Sequence, residues 1–231
     1  MNSIKKTARA AGFLYLLMII FSVFSLVFIP SAFIVSGDVA KTVNNITNAE
    51  SLFRLGIVGG LINQVIFVLL VLFLYRLFKP VNEKQALLML IFVLIGVPIA
   101  MLNELNYSAV LLLSSSTDNI TVLTADQSQS LINLFLDLHE HGIIIAEIFW
   151  GLWLLPLGFL VFKSGFLPKI LGILLIIGCF GYLIEVFQFF IFPTYKVITY
   201  PGFAVDAIAE LSLAFWLLLK GVNITKENEN L

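Results

Sequence analysis

The sequence is poor in charged residues. Asp, Glu, Lys and Arg make up 12% of 231 residues, whereas 60% are hydrophobic and 22 are Phe. A soluble domain has about 25% charged and about 45–50% apolar residues, so the composition excludes an ordinary soluble protein. The net charge is −1 and no run of Lys or Arg occurs, which argues against a nucleic-acid partner. The predicted partner is the lipid bilayer.

Residues typical of metal and redox sites are also scarce. The single cysteine, Cys179, lies in an apolar run and has no second cysteine with which to form an intrachain disulfide. The chain has two histidines, no HExxH motif and no Cys-rich motif. No common zinc signature can therefore be read from the sequence.

Long apolar runs predict an all-α integral membrane protein with six spanning helices, short loops and one transmembrane domain over residues 1–222. A spanning helix needs about 20 apolar residues, and the first run is longer than the about 7–15 of a signal peptide, so we expect it to be retained. Residues 223–231 are predicted to be a disordered cytoplasmic tail. The predicted helices cover about residues 8–30, 48–78, 85–114, 125–163, 168–192 and 201–220.

Two local patterns predict helix starts. Thr47 with Glu50, and Thr124 with Gln127, have the spacing of a capping box. The helix that follows Thr124 would be about 58 Å long, which exceeds a bilayer core of about 30 Å. We expect it to project from the membrane or to break at Gly142. The first outer connection is either an irregular loop or a short surface helix that starts at Asp38.

The distribution of positive charge predicts the orientation. Ten of the 13 Lys and Arg residues fall on one side of a six-helix topology, so both termini are predicted to be cytoplasmic. The ten are Lys5, Lys6, Arg9, Arg76, Lys79, Lys84, Lys163, Lys169, Lys220 and Lys226; the other three are Lys41, Arg54 and Lys196.

Acidic residues lie inside the predicted spans, between mid-membrane and the outer boundary. An ionisable residue at that depth costs several kcal/mol unless it faces a cavity, a partner or water, and it indicates a functional site. One interpretation is an outward-facing acidic pocket; the other is that each carboxyl is protonated or hydrogen-bonded and only fastens helices together. The candidate polar residues are Arg54, Asn63, Gln64, Glu104, His139, Glu140, Glu147, Glu185, Gln188, Asp206 and Glu210.

Two further expectations concern the fourth helix. His139 and His141 lie on nearly opposite sides of a helix, so only one of them could join Glu104, Glu185 or Glu210 as a zinc ligand. The aromatic run FWGLWLL at 149–155 is expected to be a lipid-facing and packing surface.

Several segments resemble the DUF4386 family of multi-pass membrane proteins. The resemblance is carried by SLFRLG at 51–56, LDLHEHG at 136–142, FWGLWLLPLGFLVFKSGFLPKILGILL at 149–175, GYL at 181–183 and ELSLAFWLLLKGV at 210–222. It implies a multi-pass protein of a bacterial inner membrane without an assigned activity. Arg54, His139 and Glu210 lie in these segments, and this placement makes them the best candidates for shared functional residues.

Three classes of function stay open from the sequence. The acidic pocket could bind or move a small cationic solute, an ion or a proton. The protein could instead be a membrane-embedded, metal-dependent hydrolase that acts on a lipid or headgroup. In the third class it is a non-catalytic accessory or regulatory subunit whose polar groups are structural.

Overall fold

The computed structural model describes residues 2–114 and 123–222, and within this part the regular secondary structure is entirely helical. The predicted tail at 223–231 lies outside the described residues. Six helices are long and apolar enough to cross a membrane, which confirms the predicted number; the orientation of the termini stays a prediction. These spans are Ile4–Phe33, Glu50–Phe78, Glu83–Ser114, Ala125–Lys163, Lys169–Ile191 and Lys196–Lys220.

The first and last spans are irregular in their helical geometry, and the others consist of one or two α-helices. α1 is Asn2–Ser22, which continues through a π-helical segment Val23–Phe28 into α2, Ile29–Phe33. α3 is Val39–Asn48, α4 is Glu50–Phe78, α5 is Glu83–Ser114, α6 is Ala125–Leu152, α7 is Leu154–Lys163 and α8 is Lys169–Ile191. A 3₁₀ turn Lys196–Thr199 precedes α9, Tyr200–Phe215, which ends in a π-helical segment Trp216–Lys220.

The fourth span does not break at Gly142, so that prediction is wrong. α6 runs without interruption to Leu152, and the helix is interrupted at Trp153 before α7. Pro156 explains the position, because proline has no N–H and its ring clashes with the carbonyl four residues earlier, here that of Leu152. Gly142 instead accommodates the side chain of Asn103 on α5.

One predicted helix start is confirmed and the other is wrong. Thr124 and Gln127 form a reciprocal capping box at the start of α6. Thr47 lies inside α3, where its hydroxyl donates to the Val43 carbonyl over 2.8 Å, and α4 begins at Glu50 after Ala49. The short helix expected after Asp38 is present as α3, and the Asp38 side chain accepts from the Lys41 N–H at its start.

Glycines set the closest helix contacts. A Cβ at Gly172 on α8 would lie 2.5 Å from the Gly158 carbonyl oxygen on α7. A Cβ at Gly202 on α9 would lie 2.7 Å from the Gly181 Cα on α8. Without a hydrophobic force between helices in lipid, such close backbone packing is a main source of association. These contacts hold the last three helices together.

The outer surface of the bundle is apolar. Leu102, Leu105 and Leu112 on α5 are each at least 64% exposed, and large exposed hydrophobic side chains occur on every span. Contiguous apolar surface of this extent is unusual for a soluble monomer, whereas lipid accommodates it. The fold therefore defines a multi-pass membrane protein.

The predicted orientation can be tested with single cysteines in a Cys179→Ala background. Lys84, at the start of α5, and Val197, in the 3₁₀ turn before α9, are both exposed. If positive charge sets the topology, a membrane-impermeant maleimide should label Val197→Cys in intact cells and Lys84→Cys only after permeabilisation. The reverse pattern would place the termini outside.

Replacing Gly172 should loosen the contact between α7 and α8. A methyl group there meets backbone, which cannot move aside, so Gly172→Ala is expected to lower the free energy of unfolding by about 1–3 kcal/mol. The measurement is thermal unfolding in detergent, with Ile173→Leu on the outer face of α8 as the control. An unchanged melting temperature for Gly172→Ala would contradict the close packing.

Candidate functional site

A cavity of about 960 Å³ lies between the helices and is called the central cavity here. Every span contributes to its lining, which includes Met18, Asn63, Tyr107, His139, Tyr182 and Asp206. Residues 34–37 of the first connection and Lys196 also line it, so the central cavity reaches the end of the bundle that carries these two connections. That end is the one predicted to face outward.

Five carboxyl groups line the central cavity, three from the fourth span and two from the sixth: Asp137, Glu140, Glu147, Asp206 and Glu210. Helical spacing explains the arrangement, because residues seven apart on α6 and four apart on α9 share one face of their helix. Gly178 on α8 makes room for the second pair, since a Cβ there would lie 2.9 Å from Asp206 Oδ1.

Three of these carboxyl groups have partners on neighbouring helices. The Tyr15 hydroxyl of α1 donates to Glu210 Oε1 over 2.9 Å. Tyr182 on α8 is hydrogen-bonded to Asp206. The carboxyl of Glu147 adjoins that of Glu185 on α8. The carboxyls therefore join α1, α6, α8 and α9.

Several buried polar atoms of the lining have no protein hydrogen-bond partner in residues 2–114 and 123–222. They are Asn63 Oδ1, Gln64 Oε1, His139 Nε2, Glu147 Oε2, Trp150 Nε1 and Asp206 Oδ1. Burying such a group without a hydrogen bond costs roughly 1–3 kcal/mol. These atoms therefore favour an occupant of the cavity that forms hydrogen bonds with them.

Positive charge is not brought to the buried carboxyls. In the described part of the chain, no Lys or Arg forms an ion pair with Glu147, Asp206 or Glu210. Arg54, expected near the pocket, is 56% exposed and pairs with Glu50 over 2.7 Å. This local pair, one helical turn long, lies outside the lining of the central cavity. Lys196 is the cation that contributes to that lining.

A second polar group adjoins the cavity and contains His139. Its imidazole stacks on Tyr107 with a ring separation of 3.5 Å, and its Nε2 atom lies 4.0 Å from Glu104 Oε1. Glu104 contacts Gly60 of α4, where any larger residue would displace the carboxylate. His139 and Tyr107 line the cavity, whereas Glu104 lies behind them.

The remaining predicted residues occupy other places. Gln188 is buried outside the central cavity, and its amide donates to the Phe192 carbonyl over 3.0 Å. Glu185 contacts Glu147 but does not itself line the cavity. His141 is exposed and packs edge-on against Phe189 and Phe190, so the two histidines point in different directions as expected.

The predicted metal ligands are dispersed in the structure. His139 is close to Glu104, but no group of three His, Cys, Asp or Glu side chains suited to a metal ion occurs among the described residues. Glu185 lies with Glu147, and Glu210 lies with Tyr15. A zinc site at His139 stays a prediction, and of its proposed ligands only Glu104 lies near that histidine.

Aromatic residues of the lining were not identified as site residues from the sequence. Trp150 and Trp153 line the central cavity with Phe67 and Tyr182. Both lie in the run that was expected to be a lipid-facing and packing surface. Trp153 is also 1% exposed and packs edge-on against Phe67. A signal was available for Trp150, because it lies one turn after Glu147 and so shares its side of α6.

The comparisons with known proteins give the family. Residues 10–221 match the model of DUF4386, a domain of unknown function, and the chain belongs to this family. An uncharacterized protein of Archaeoglobus fulgidus is 30% identical over 175 residues, which cover 74% of this chain and 86% of that protein. No solved structure matches. The DUF4386 resemblance drawn from the sequence is confirmed.

The contact between Glu147 and Glu185 can be tested by replacing Glu185. Glu185→Gln should keep the contact, because an amide N–H can donate to the Glu147 carboxylate, and stability should not fall. Glu185→Leu leaves the buried Glu147 group without that partner and should cost about 1–3 kcal/mol. The measurement is thermal unfolding of purified protein. Equal melting temperatures for the two variants would contradict the contact.

Proposed function

We propose that this protein binds a small cationic solute in the central cavity of its membrane domain. The observation that carries the proposal is a set of carboxyls on one cavity, the buried Glu147 and Asp206 and the half-buried Glu210, with no Lys or Arg paired to them in the described residues. Carboxylates buried without fixed counter-charges favour a mobile positive charge, supplied by protons or by a ligand.

The size and access of the cavity also support a ligand. Small-molecule sites commonly have volumes of about 300–1,000 Å³, and the central cavity falls within this range. Its lining combines apolar surface with a few converging polar groups, which is the usual composition of such a site. Because the lining includes both polar connections at one end of the bundle, a solute can enter without crossing lipid-facing surface.

Binding is proposed to involve the Glu147 carboxyl directly. This group adjoins Glu185 on α8, so a cation that pairs with Glu147 would change the contact between α6 and α8. We place the protein in the bacterial inner membrane, with the cavity open to the outer side and the solute bound or moved from there.

The two alternatives have less support. A metal-dependent hydrolase needs about three protein ligands around one ion, and the described residues assemble only the pair of His139 and Glu104. A purely structural role for the polar groups does not account for the unpartnered atoms of Asn63, Gln64 and Asp206.

The proposal can be tested by binding to purified full-length protein in nanodiscs. Trp150 and Trp153 line the cavity, so their fluorescence should change when a solute enters. The probes are n-butylammonium and tetramethylammonium, with uncharged n-butanol as the control ligand. We expect saturable binding of at least one cation, none of butanol, and a loss of affinity of about tenfold or more in Glu147→Gln and Asp206→Asn.

A matched control is offered by Glu83→Gln. This substitution also removes one carboxylate, but Glu83 is exposed, pairs with Lys79 and is not among the residues that line the cavity. It should leave binding unchanged. Absence of saturable binding for both cations at millimolar concentration would overturn the proposed function, and so would equal affinities in wild type and both cavity variants.

A further inference from the structure

We propose that the preferred ligand is an organic cation with several N–H donors, such as a protonated primary amine or a guanidine. This inference rests on the proposed function and specifies the chemistry of the same cavity. It follows from which hydrogen-bonding atoms of the lining are already used and which are free.

The free atoms of the lining are mainly acceptors. Asn63 Oδ1, Gln64 Oε1, Glu147 Oε2 and Asp206 Oδ1 are buried without a protein partner in the described residues. Their side chains are at most 9% exposed and all line the central cavity. A carboxylate or amide oxygen can be satisfied only by a donor, so the occupant has to bring hydrogen-bond donors to at least two helices.

The donors beside the cavity are partly committed. The Asn63 amide donates to the Ser22 hydroxyl over 2.9 Å, and the Tyr15 hydroxyl donates to Glu210. Trp150 Nε1 is free, and Lys196 contributes to the lining. The four free acceptor oxygens outnumber these donors, and the carboxyls would repel an anionic solute such as a carboxylate or phosphate. This balance favours a ligand with N–H donors over one rich in acceptors.

The aromatic part of the lining explains why an organic cation is favoured over a bare metal ion. Phe67, Trp150 and Trp153 provide apolar surface beside the carboxyls, which suits the carbon skeleton of an amine and its charge. A metal ion would instead need ligands on several sides, and no group of three His, Cys, Asp or Glu side chains suited to an ion is present in the described part of the chain. If charge alone determined binding, the cavity would bind a quaternary ammonium, which carries no N–H, as well as a primary amine.

Two isomeric cations separate these possibilities. n-Butylammonium and tetramethylammonium have the same formula and charge, but the first has three N–H donors and the second has none. Binding of each to wild-type protein in nanodiscs is followed by tryptophan fluorescence and by calorimetry. We expect n-butylammonium to bind about tenfold or more tightly, the effect of one or two net hydrogen bonds.

Gln64→Leu provides the second measurement. It removes one free acceptor without changing charge, so affinity for n-butylammonium should fall severalfold while that for tetramethylammonium stays within about twofold. Glu147→Gln should weaken both cations, since it removes charge. The wild-type ratio alone decides the inference if Gln64→Leu does not fold.

The outcomes keep the two proposals apart. A preference for n-butylammonium in wild type supports the inference. Equal binding, or tighter binding of tetramethylammonium, would overturn it while leaving a cation-binding cavity intact. If neither isomer binds, the proposed function itself fails and the inference fails with it.

Discussion

The structure depends on placing carboxyl groups inside a membrane domain without fixed positive partners. An ionised carboxylate in lipid costs several kcal/mol, and its own helix cannot satisfy it, because the backbone N–H groups of the helix are already used. The carboxyls of Glu147, Asp206 and Glu210 must therefore face other helices or a hydrated space. In this bundle they do both, since each touches a neighbouring helix and lines the central cavity. The faces of α6 and α9 that carry these carboxyls therefore point inward.

Small residues make this arrangement sterically feasible. Gly178 leaves room for the Asp206 carboxyl, and Gly60 leaves room for the Glu104 carboxyl. The same helices approach each other closely elsewhere, at Gly181 with Gly202. Gly181 on α8 allows close backbone contact, and Gly178, one turn earlier, leaves space for a polar group. Stability of the bundle and solvation of the acids are thus coupled through these positions.

The sequence was sufficient for the number of spans, because this number depends on the length and apolarity of each run. The direction in which a side chain points relative to its neighbours depends on contacts between helices. Arg54 illustrates the limit: its depth is compatible with the cavity, but it pairs with Glu50 one turn away. The interruption of the fourth span lies at Trp153 and not at Gly142, because the missing N–H and the ring of Pro156 act one turn upstream.

The polar residues form two groups, one around His139 and one around Glu147, and a ligand in the cavity would contact them differently. His139 lines the cavity with its ring but faces Glu104 with Nε2, so it connects the cavity to a carboxyl behind the wall. Its stack on Tyr107 and the hydrogen bond from Asn103 to its carbonyl fix α6 against α5. On the carboxyl side, α6 contacts α8 through Glu147 and Glu185. A cation that pairs with Glu147 would alter this second contact while leaving the first in place. α6 is therefore fixed against α5 by the stack and the hydrogen bond, whereas its contact with α8 involves a carboxyl that also lines the cavity.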